Sequence, residues 1–336
     1  MTSRVFSGIQ PTAEMHIGNY FGAVRNWVAL QHTHECIYCV VDLHALTMPY
    51  EAERLRANTQ RMVIDLLACG IDPAKAILFV QSMVPEHAEL CWILSSLTPF
   101  GDLRRMTQFK DKSEVLENQD STQFVSAALF SYPVLQAADI LVYRTHFVPV
   151  GKDQEQHLEL SRELARRFNN QFQADFFPEP ACLFTETPKV MSLADPTKKM
   201  SKSLGERHYI GLFDDEQAIR AKVKSAVTDS GDTPEGQMSS GVTNLFELLK
   251  ASGKADEAAA LLKDYHAGTL QYRVLKETVG DAIVELTSKL RARRTEIAAD
   301  SERVNAEVHE MSEKARAIAG DTMKEVRRMI GLPPQQ

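Results

Sequence analysis

Two clusters of residues have the composition of nucleotide chemistry. The first, SGIQPTAEMHIGNYFGA over Ser7–Ala23, follows a short apolar run at the start of the chain. A strand running through a turn into a helix aims backbone N–H groups and the positive helix end at a bound anion. Gly18 lets a large planar group lie close to the backbone. His16 and Asn19 share one side of the first helical turn, where both can donate to phosphate oxygens. A capped helix with a chance glycine would read the same way. The spacing is neither that of a dinucleotide fingerprint nor that of a P-loop.

The second cluster is DPTKKMSKSLG over Asp195–Gly205, where Lys199 and Lys202 bracket Met200 and Ser201 on a polar stretch. Two ammonium groups there can neutralise a triphosphate, above all while charge builds during reaction. Phosphoryl and nucleotidyl transfer run mainly on positioning and electrostatics. A solvated basic loop or a linker between domains is the other reading.

The elements that must position these clusters follow from periodicity. Arg4–Gly8, Cys36–Asp42 and Ala76–Val80 are apolar runs predicted to be strands. Helical patterns at about 17–31, 51–69 and 86–96 separate them. Continuously apolar strands between helices predict a parallel sheet covered on both faces. Such sheets bind ligands at the carboxyl ends of their strands. The stretch 124–170 reads as helical with an interruption at VPVGKDQ, and 185–204 as a polar loop. From about Asp214 onward only helical periodicity remains, clearest at 256–263, 270–293 and 302–329.

Composition bounds the setting. The 336 residues suffice for two domains, or for one large domain with an appendage. No apolar run of about eighteen residues crosses a membrane, and the start lacks the pattern of a secretory signal, so a cytoplasmic enzyme is expected. Five cysteines, an odd number without scaffold spacing, suggest reduced thiols. Cys36 and Cys39 form a CxxC, but no second half of a four-ligand zinc site follows, and no protein-held metal is expected. The net charge of −7 argues against a generally basic surface for nucleic acid. It leaves room for one basic face, and Lys289, Arg291, Arg293 and Arg294 are candidates. A solvated helix face is the alternative there.

HIGN at His16–Asn19 resembles the HIGH signature of the class I aminoacyl-tRNA synthetases, and KMSKS at Lys199–Ser203 matches their second signature in full. SGIQPT, MTQFKDK, YPVLQAADILVYR, VPVGKDQEQH and VMSLADPTKKMSKS are similar to the tryptophanyl branch in particular. The resemblance implies an α/β fold, with a Rossmann-like parallel-sheet catalytic domain and a helical C-terminal domain. Residues 1–200 would be the catalytic domain, with a helical dimerisation insert at about 102–170. Residues 201–300 would hold the KMSKS loop and an anticodon-binding domain, and 301–336 a C-terminal helix. It also implies a homodimer, with L-tryptophan, Mg²⁺-bound ATP and tRNA(Trp) as substrates and no tightly held cofactor. No inserted domain has the size that editing would need.

The resemblance further implies roles for single residues. Gln10, Pro11, Thr12, Gly18 and Asn19 would line the ATP site, together with Gly151, Lys152, Asp153 and Gln154. Val190 and Met191 would meet adenine, joined by Met200 when the loop closes. Lys199, Ser201, Lys202 and Ser203 would hold the phosphates, with Lys110 or Lys112 assisting from the insert. Catalysis would rest on Lys199, Lys202, His16, Asn19, Lys110 and Lys112. Phe6, Gly8, His44, Tyr132, Gln136, Val148 and Val150 would shape the amino-acid pocket, and Asp139 would accept from the indole N–H. Asp139 sits in AADILVY, an otherwise apolar helix where a carboxylate is costly. Pairing with Arg144 or another basic group would relieve that cost. A pocket that needs one N–H acceptor also accounts for it. Such a pocket rejects a ligand lacking the donor by roughly 10⁴-fold or more. His44 reads either as a core histidine ending the second strand or as a pocket residue at the carboxyl edge. Three features depart from the family pattern. Gln136 stands where many members carry Met, Lys152 where many carry Glu, and 113–123 is longer than in the shortest members.

Overall fold

The computed structural model describes residues 3–12, 14–106, 126–149, 151, 155–183, 188–229 and 237–334. Its centre is a five-stranded parallel sheet in the order β3-β2-β1-β4-β5. The strands are β1 (Arg4–Ile9), β2 (Glu35–Val40), β3 (Ala76–Val80), β4 (Phe147–Val148) and β5 (Ala181–Cys182). This is the doubly wound arrangement, in which strand order reverses between β1 and β4 and opens a crevice at the carboxyl ends.

The first three strands lie where the apolar runs place them. The second stops earlier than expected, because Asp42 opens a short helix (Asp42–Ala45) and its carboxylate accepts from the backbone and hydroxyl of Ser82. β4 and β5 were not legible. Two residues each are too few for a period-2 pattern, and they form because the free side of β1 accepts β4 and β4 in turn accepts β5.

Alternation along the strands separates two cores. Val5, Cys36, Tyr38, Val40, Ala76, Leu78 and Val80 face one side; Phe6, Ile37, Cys39, Ile77 and Phe79 face the other. Cys36 and Cys39 therefore point to opposite faces, as residues three apart on a strand must. The CxxC spacing does not bring the two thiols together.

The first face is covered by the helical run α1 (17–30) and by α3 (Ala52–Cys69), numbering the Asp42–Ala45 helix α2. Helix α3 ends at Gly70, whose φ of +113° is the left-handed cap position that glycine adopts without penalty. The second face is covered by α4 (Glu86–Ser95), α6 (Ala127–Leu141) and α7 (Glu155–Gln171), with the short α5 (Phe100–Arg104) beside α6.

A helical region follows, made of α8 (Glu216–Lys224), α9 (Ser240–Ala251), α10 (Ala255–His266), α11 (Tyr272–Ala298) and α12 (Ser301–Ile330). Helix α11 packs on α3 and α8. The last helix joins both cores. Its Val304 and Val308 belong to the first, and Ala315, Ala319, Met323 and Val326 to the second. It lies along β3 and so covers the sheet edge there. No helix among the described residues is long and apolar enough to cross a membrane.

Candidate active site

Strand β1 ends at Ile9, and the chain passes through Gln10 and Pro11 to the helix start at Ile17. Backbone pairing holds this passage. Leu212 N–H donates to the Met15 carbonyl at 2.8 Å and Ile17 N–H to the Ile210 carbonyl at 3.0 Å. The stretch that follows the lysine-rich loop is thereby laid against the stretch that precedes HIGN. Asn19 folds back, and its Oδ1 accepts from the His16 backbone N–H at 3.1 Å. The helix then takes a π turn at Tyr20–Val24 before continuing as Arg25–Leu30. Such turns often mark functional segments.

The two sequence clusters meet in one cleft of about 200 Å³. Ile9, Gln10, Thr12, Glu14, Met15, His16 and Asn19 line it from the β1–α1 passage, Met62 from α3, and Ser201 and Lys202 from the loop. The loop is pinned at its root. Met200 is buried and its N–H donates to the Val190 carbonyl at 3.2 Å, while Lys199 bridges to Met191. Asn244 of α9 clamps Met191, its Oδ1 accepting from the Met191 N–H at 2.9 Å and its Nδ2 donating to the Met191 carbonyl at 3.0 Å. Lys199 is exposed, whereas Lys202 is half-buried with its ammonium 5.3 Å from the Tyr209 ring centroid. Burial lowers the Lys202 pKa, against the pull of Glu14 and Asp214.

The same convergence sets the charge of His16. Burial, then Lys202 and Lys199, lower its pKa to about 4. The ring is therefore neutral at neutral pH, and it acts as a hydrogen-bonding group rather than a cation. Its Nδ1 is buried without a hydrogen-bond partner among the described residues. A Cβ at Gly18 would lie 2.9 Å from His16 ring atoms and 3.6 Å from Met200 Cβ. The glycine is thus what allows helix, histidine and loop to approach one another.

A second polar cluster lies within the other core. Asp139 on α6 is 2% exposed and bonded to three side chains. Its Oδ1 accepts from Gln81 Nε2 at 2.6 Å and faces His87 Nδ1 at 2.6 Å, and its Oδ2 faces His44 Nε2 at 2.8 Å. Burial alone would raise this carboxyl, but His44 and His87 outweigh it and hold the pKa at about 2. The pairing with a basic group is real, but the partners are histidines and not Arg144. That guanidinium is exposed and lies over Phe176. Phe6 stacks on Tyr143, whose hydroxyl is 2.8 Å from His87 Nε2, and His44 meets Tyr132 edge-on. Phe6, His44, Tyr132 and Asp139 thus form one contiguous network.

The remaining sequence candidates sit as follows. Gln136 is half-buried on α6, one turn before Asp139, and Val148 is buried in the second core. Gly8 is exposed near the end of β1, where a Cβ would strike Val41 Cγ1 at 2.8 Å. Pro11 and Val190 are buried, and Thr12, Ser203 and Gly151 are exposed. Lys110, Lys112, Val150, Lys152, Asp153, Gln154 and the segment 113–123 lie outside the described residues. The basic run on α11 divides. Arg291 donates to the Asp214 carbonyl and Arg294 pairs with Asp65, so only Lys289 and Arg293 are exposed.

Among the site residues that the sequence did not single out are Gln81, His87, Tyr209 and Asn244. The carboxyl-end rule that singled out His44 after β2 applies equally to Gln81 directly after β3. Nothing local marks the other three, which are brought in by packing.

The family model for tRNA synthetases class I (W and Y) matches residues 1–288. A curated relative, tryptophan–tRNA ligase 2 of Streptomyces avermitilis, is 44% identical over 98% of this chain and 97% of its own length. Among solved structures, tryptophanyl-tRNA synthetase from Mycoplasma pneumoniae superposes with a TM-score of 0.87 at 34% identity, covering 99% of both chains. That of Campylobacter jejuni, complexed with ADP and tryptophan, gives 0.84 at 33% identity, covering 98% of this chain and 100% of its own. With both signatures in one cleft at the switch point of a doubly wound sheet, this chain belongs to the class I tRNA synthetases, in their tryptophanyl branch.

Proposed function

We propose that the chain activates L-tryptophan with ATP and passes it to the 3′ end of tRNA(Trp), the reaction of the tryptophan–tRNA ligases, and that the two polar clusters divide the work. The observation that carries this reading is the convergence of His16, Asn19 and Lys202 on one cleft. Asp139, held by three side chains, lies at the carboxyl side of the same sheet.

In the first step a tryptophan carboxylate oxygen attacks the α-phosphorus of ATP, which arrives with Mg²⁺. The bond to the β-phosphate oxygen breaks, and pyrophosphate leaves with that electron pair. Gln10, Thr12, Gly18 and Asn19 line the nucleotide, with Pro11 fixing their turn and Val190, Met191 and Met200 meeting the base. Lys199 and Lys202 draw negative charge toward the departing pyrophosphate, with Ser201 and Ser203 shaping the loop around it. Interactions that strengthen only as the transition state forms are the ones that raise the rate. His16, kept neutral by burial and then by its two lysine neighbours, adds a hydrogen bond without cancelling their charge. Gly151, Lys152, Asp153 and Gln154 contribute to the nucleotide, and Lys110 or Lys112 to the phosphates. In the second step a hydroxyl of the terminal adenosine of tRNA attacks the activated carbonyl and AMP leaves. The Campylobacter jejuni relative, solved with ADP and tryptophan, supports this pair of ligands.

Asp139 selects the amino acid. An ionised carboxylate offers about four acceptor positions. Both on Oδ1 and one on Oδ2 are engaged, leaving Oδ2 one for an indole N–H. Phe6, Gly8, Tyr132, Gln136, Val148 and Val150 shape the walls. The helices of 201–300 read the anticodon, and two copies assemble with one tRNA spanning both, in the cytoplasm where charging serves translation.

Replacing Lys202 by Ala tests the cleft. Tryptophan-dependent exchange of pyrophosphate into ATP should slow by about 100-fold or more, as for loss of a charged group aimed at a transition state. Tryptophan affinity by equilibrium binding should change little. Exchange at the wild-type rate would remove Lys202 from this role.

A further inference from the structure

Two of the side chains that hold Asp139, His87 and Gln81, are themselves held from behind. Tyr143 is fully buried, and burial, with Cys39 and Asp139 nearby, raises its hydroxyl pKa well above the ordinary value. Its hydroxyl thus stays protonated, and it meets His87 Nε2 at 2.8 Å. An ionised carboxylate can only accept, so the His87 nitrogen that faces Asp139, Nδ1, carries a proton. That Nδ1 lies 2.6 Å from Asp139 Oδ1. The side chain of Gln81 is oriented in the same way. Its Oε1 accepts from the Leu43 backbone N–H at 3.1 Å, which turns its Nε2 donor onto the same oxygen at 2.6 Å. Both donors on Oδ1 are thus fixed from behind, by a phenol in one case and by a main-chain amide in the other. His87 and Gln81 are each 0% exposed.

We propose that His87, its ring held through Nε2 by Tyr143, is a positioning residue for tryptophan selection: it saturates Oδ1 so that Oδ2 alone is presented to the substrate. The inference rests on the reading of Asp139 as the indole acceptor. A carboxylate held by only one donor on Oδ1 could rotate or take up a proton, and a protonated carboxyl offers the indole a competing O–H. Holding the ring through its second nitrogen is the arrangement by which histidines are oriented elsewhere.

The test compares tryptophan with 3-benzothienylalanine, in which sulfur replaces the indole N–H, in pyrophosphate exchange. The ratio of the two kcat/KM values is the discrimination. Four variants are needed: His87→Leu, His87→Asn, Tyr143→Phe and Asp139→Asn. The Asn amide nitrogen occupies nearly the place of Nδ1, so His87→Asn keeps the donor while losing the link to Tyr143. His87→Leu should lose discrimination by about 10- to 100-fold, the range for removing a hydrogen bond to a charged group. Its acid limb of kcat/KM for tryptophan should move to higher pH, because one of the groups lowering the Asp139 pKa is gone. His87→Asn should restore most of the discrimination, and Tyr143→Phe, nearly isosteric, should fall between. A packing role would treat Leu and Asn alike and leave the acid limb in place. If Asp139→Asn abolishes discrimination while His87→Leu and Tyr143→Phe keep the wild-type ratio and pH profile, the positioning role is overturned. If Asp139→Asn itself keeps the ratio, the reading of Asp139 fails first, and the inference with it.

Discussion

Arg294 on α11 and Asp65 on α3 form a buried ion pair, with Arg294 Nε 2.7 Å from Asp65 Oδ1. The carboxylate side chain is 1% exposed. The same guanidinium lies 4.4 Å from the ring centroid of Phe213, just beyond the 210–212 stretch that pairs with the segment before HIGN. One arginine therefore ties the helical region to a helix of the sheet domain and to the strand-like support of the cleft.

Removing Arg294 leaves a buried carboxylate uncompensated. Arg294→Met should destabilise the fold by about 2–4 kcal/mol, somewhat under the usual range for breaking a buried pair because this arginine is partly exposed. Urea unfolding would read it. Adding Asp65→Asn to Arg294→Met should recover much of the loss; strict additivity would show that the two side chains do not couple.

The pair also gives a pH signature. Burial raises the Asp65 pKa from 3.8 to about 6, with Arg294 opposing. The folded state thus holds the proton more tightly than the unfolded chain. The stability this confers is present below pH 4 and is lost as pH rises through about 6. His16 runs the other way, since its lowered pKa means stability is gained as pH rises from about 4 to 6.5. The wild type and Asp65→Asn share the His16 contribution. The difference between their unfolding free energies should decline from pH 4 to 6, and a flat or rising difference would contradict the assignment.

Gly18→Ala places a methyl against the His16 ring and toward Met200. Misplacing catalytic groups by about 1 Å can cost on the order of 100-fold in rate. Pyrophosphate exchange should fall by about 10- to 100-fold while circular dichroism and the thermal midpoint stay close to wild type.

Two helical glycines should respond in opposite senses. A Cβ at Gly241, near the start of α9, would enter the backbone carbonyls of Val227 and Thr228. Gly241→Ala should destabilise by about 2 kcal/mol or more, as overpacking against rigid atoms does. A Cβ at Gly320, within α12, meets nothing within 4 Å. Gly320→Ala should stabilise by about 0.5–1 kcal/mol through helix propensity. Thermal melts of the two variants decide both.

Trp92 on α4 is 81% exposed and Phe100 on α5 is 68% exposed, on two helices that pack on α6. Large aromatics on a surface are typical of the anchors of protein interfaces. If this face joins two copies, the wild type should elute from gel filtration at twice the chain mass. Trp92→Glu and Phe100→Glu should then shift toward the monomer. A wild-type monomer at micromolar concentration would remove the dimer.

The sequence by itself determined the reaction class and the first three strands. HIGN and KMSKS are contiguous motifs, and β1 to β3 are apolar runs long enough to show their nature, so both are local signals. The direction in which Asp139 would find its partners was only half legible. A carboxylate in an apolar helix must be compensated, but Gln81, His44 and His87 lie 58, 95 and 52 residues away along the chain. Only the packing of α2, α4 and α6 at the carboxyl side of the sheet decides which of them meet. The basic run on α11 shows the same limit from the other side. Four cations within six positions look like one face, yet tertiary contacts commit Arg291 to Asp214 and Arg294 to Asp65. Strands β4 and β5 exist only because an existing sheet edge offers them hydrogen bonds. Local propensity is written in neighbouring residues, whereas the pairing of charges and the completion of a sheet depend on surfaces that do not exist until the chain has folded.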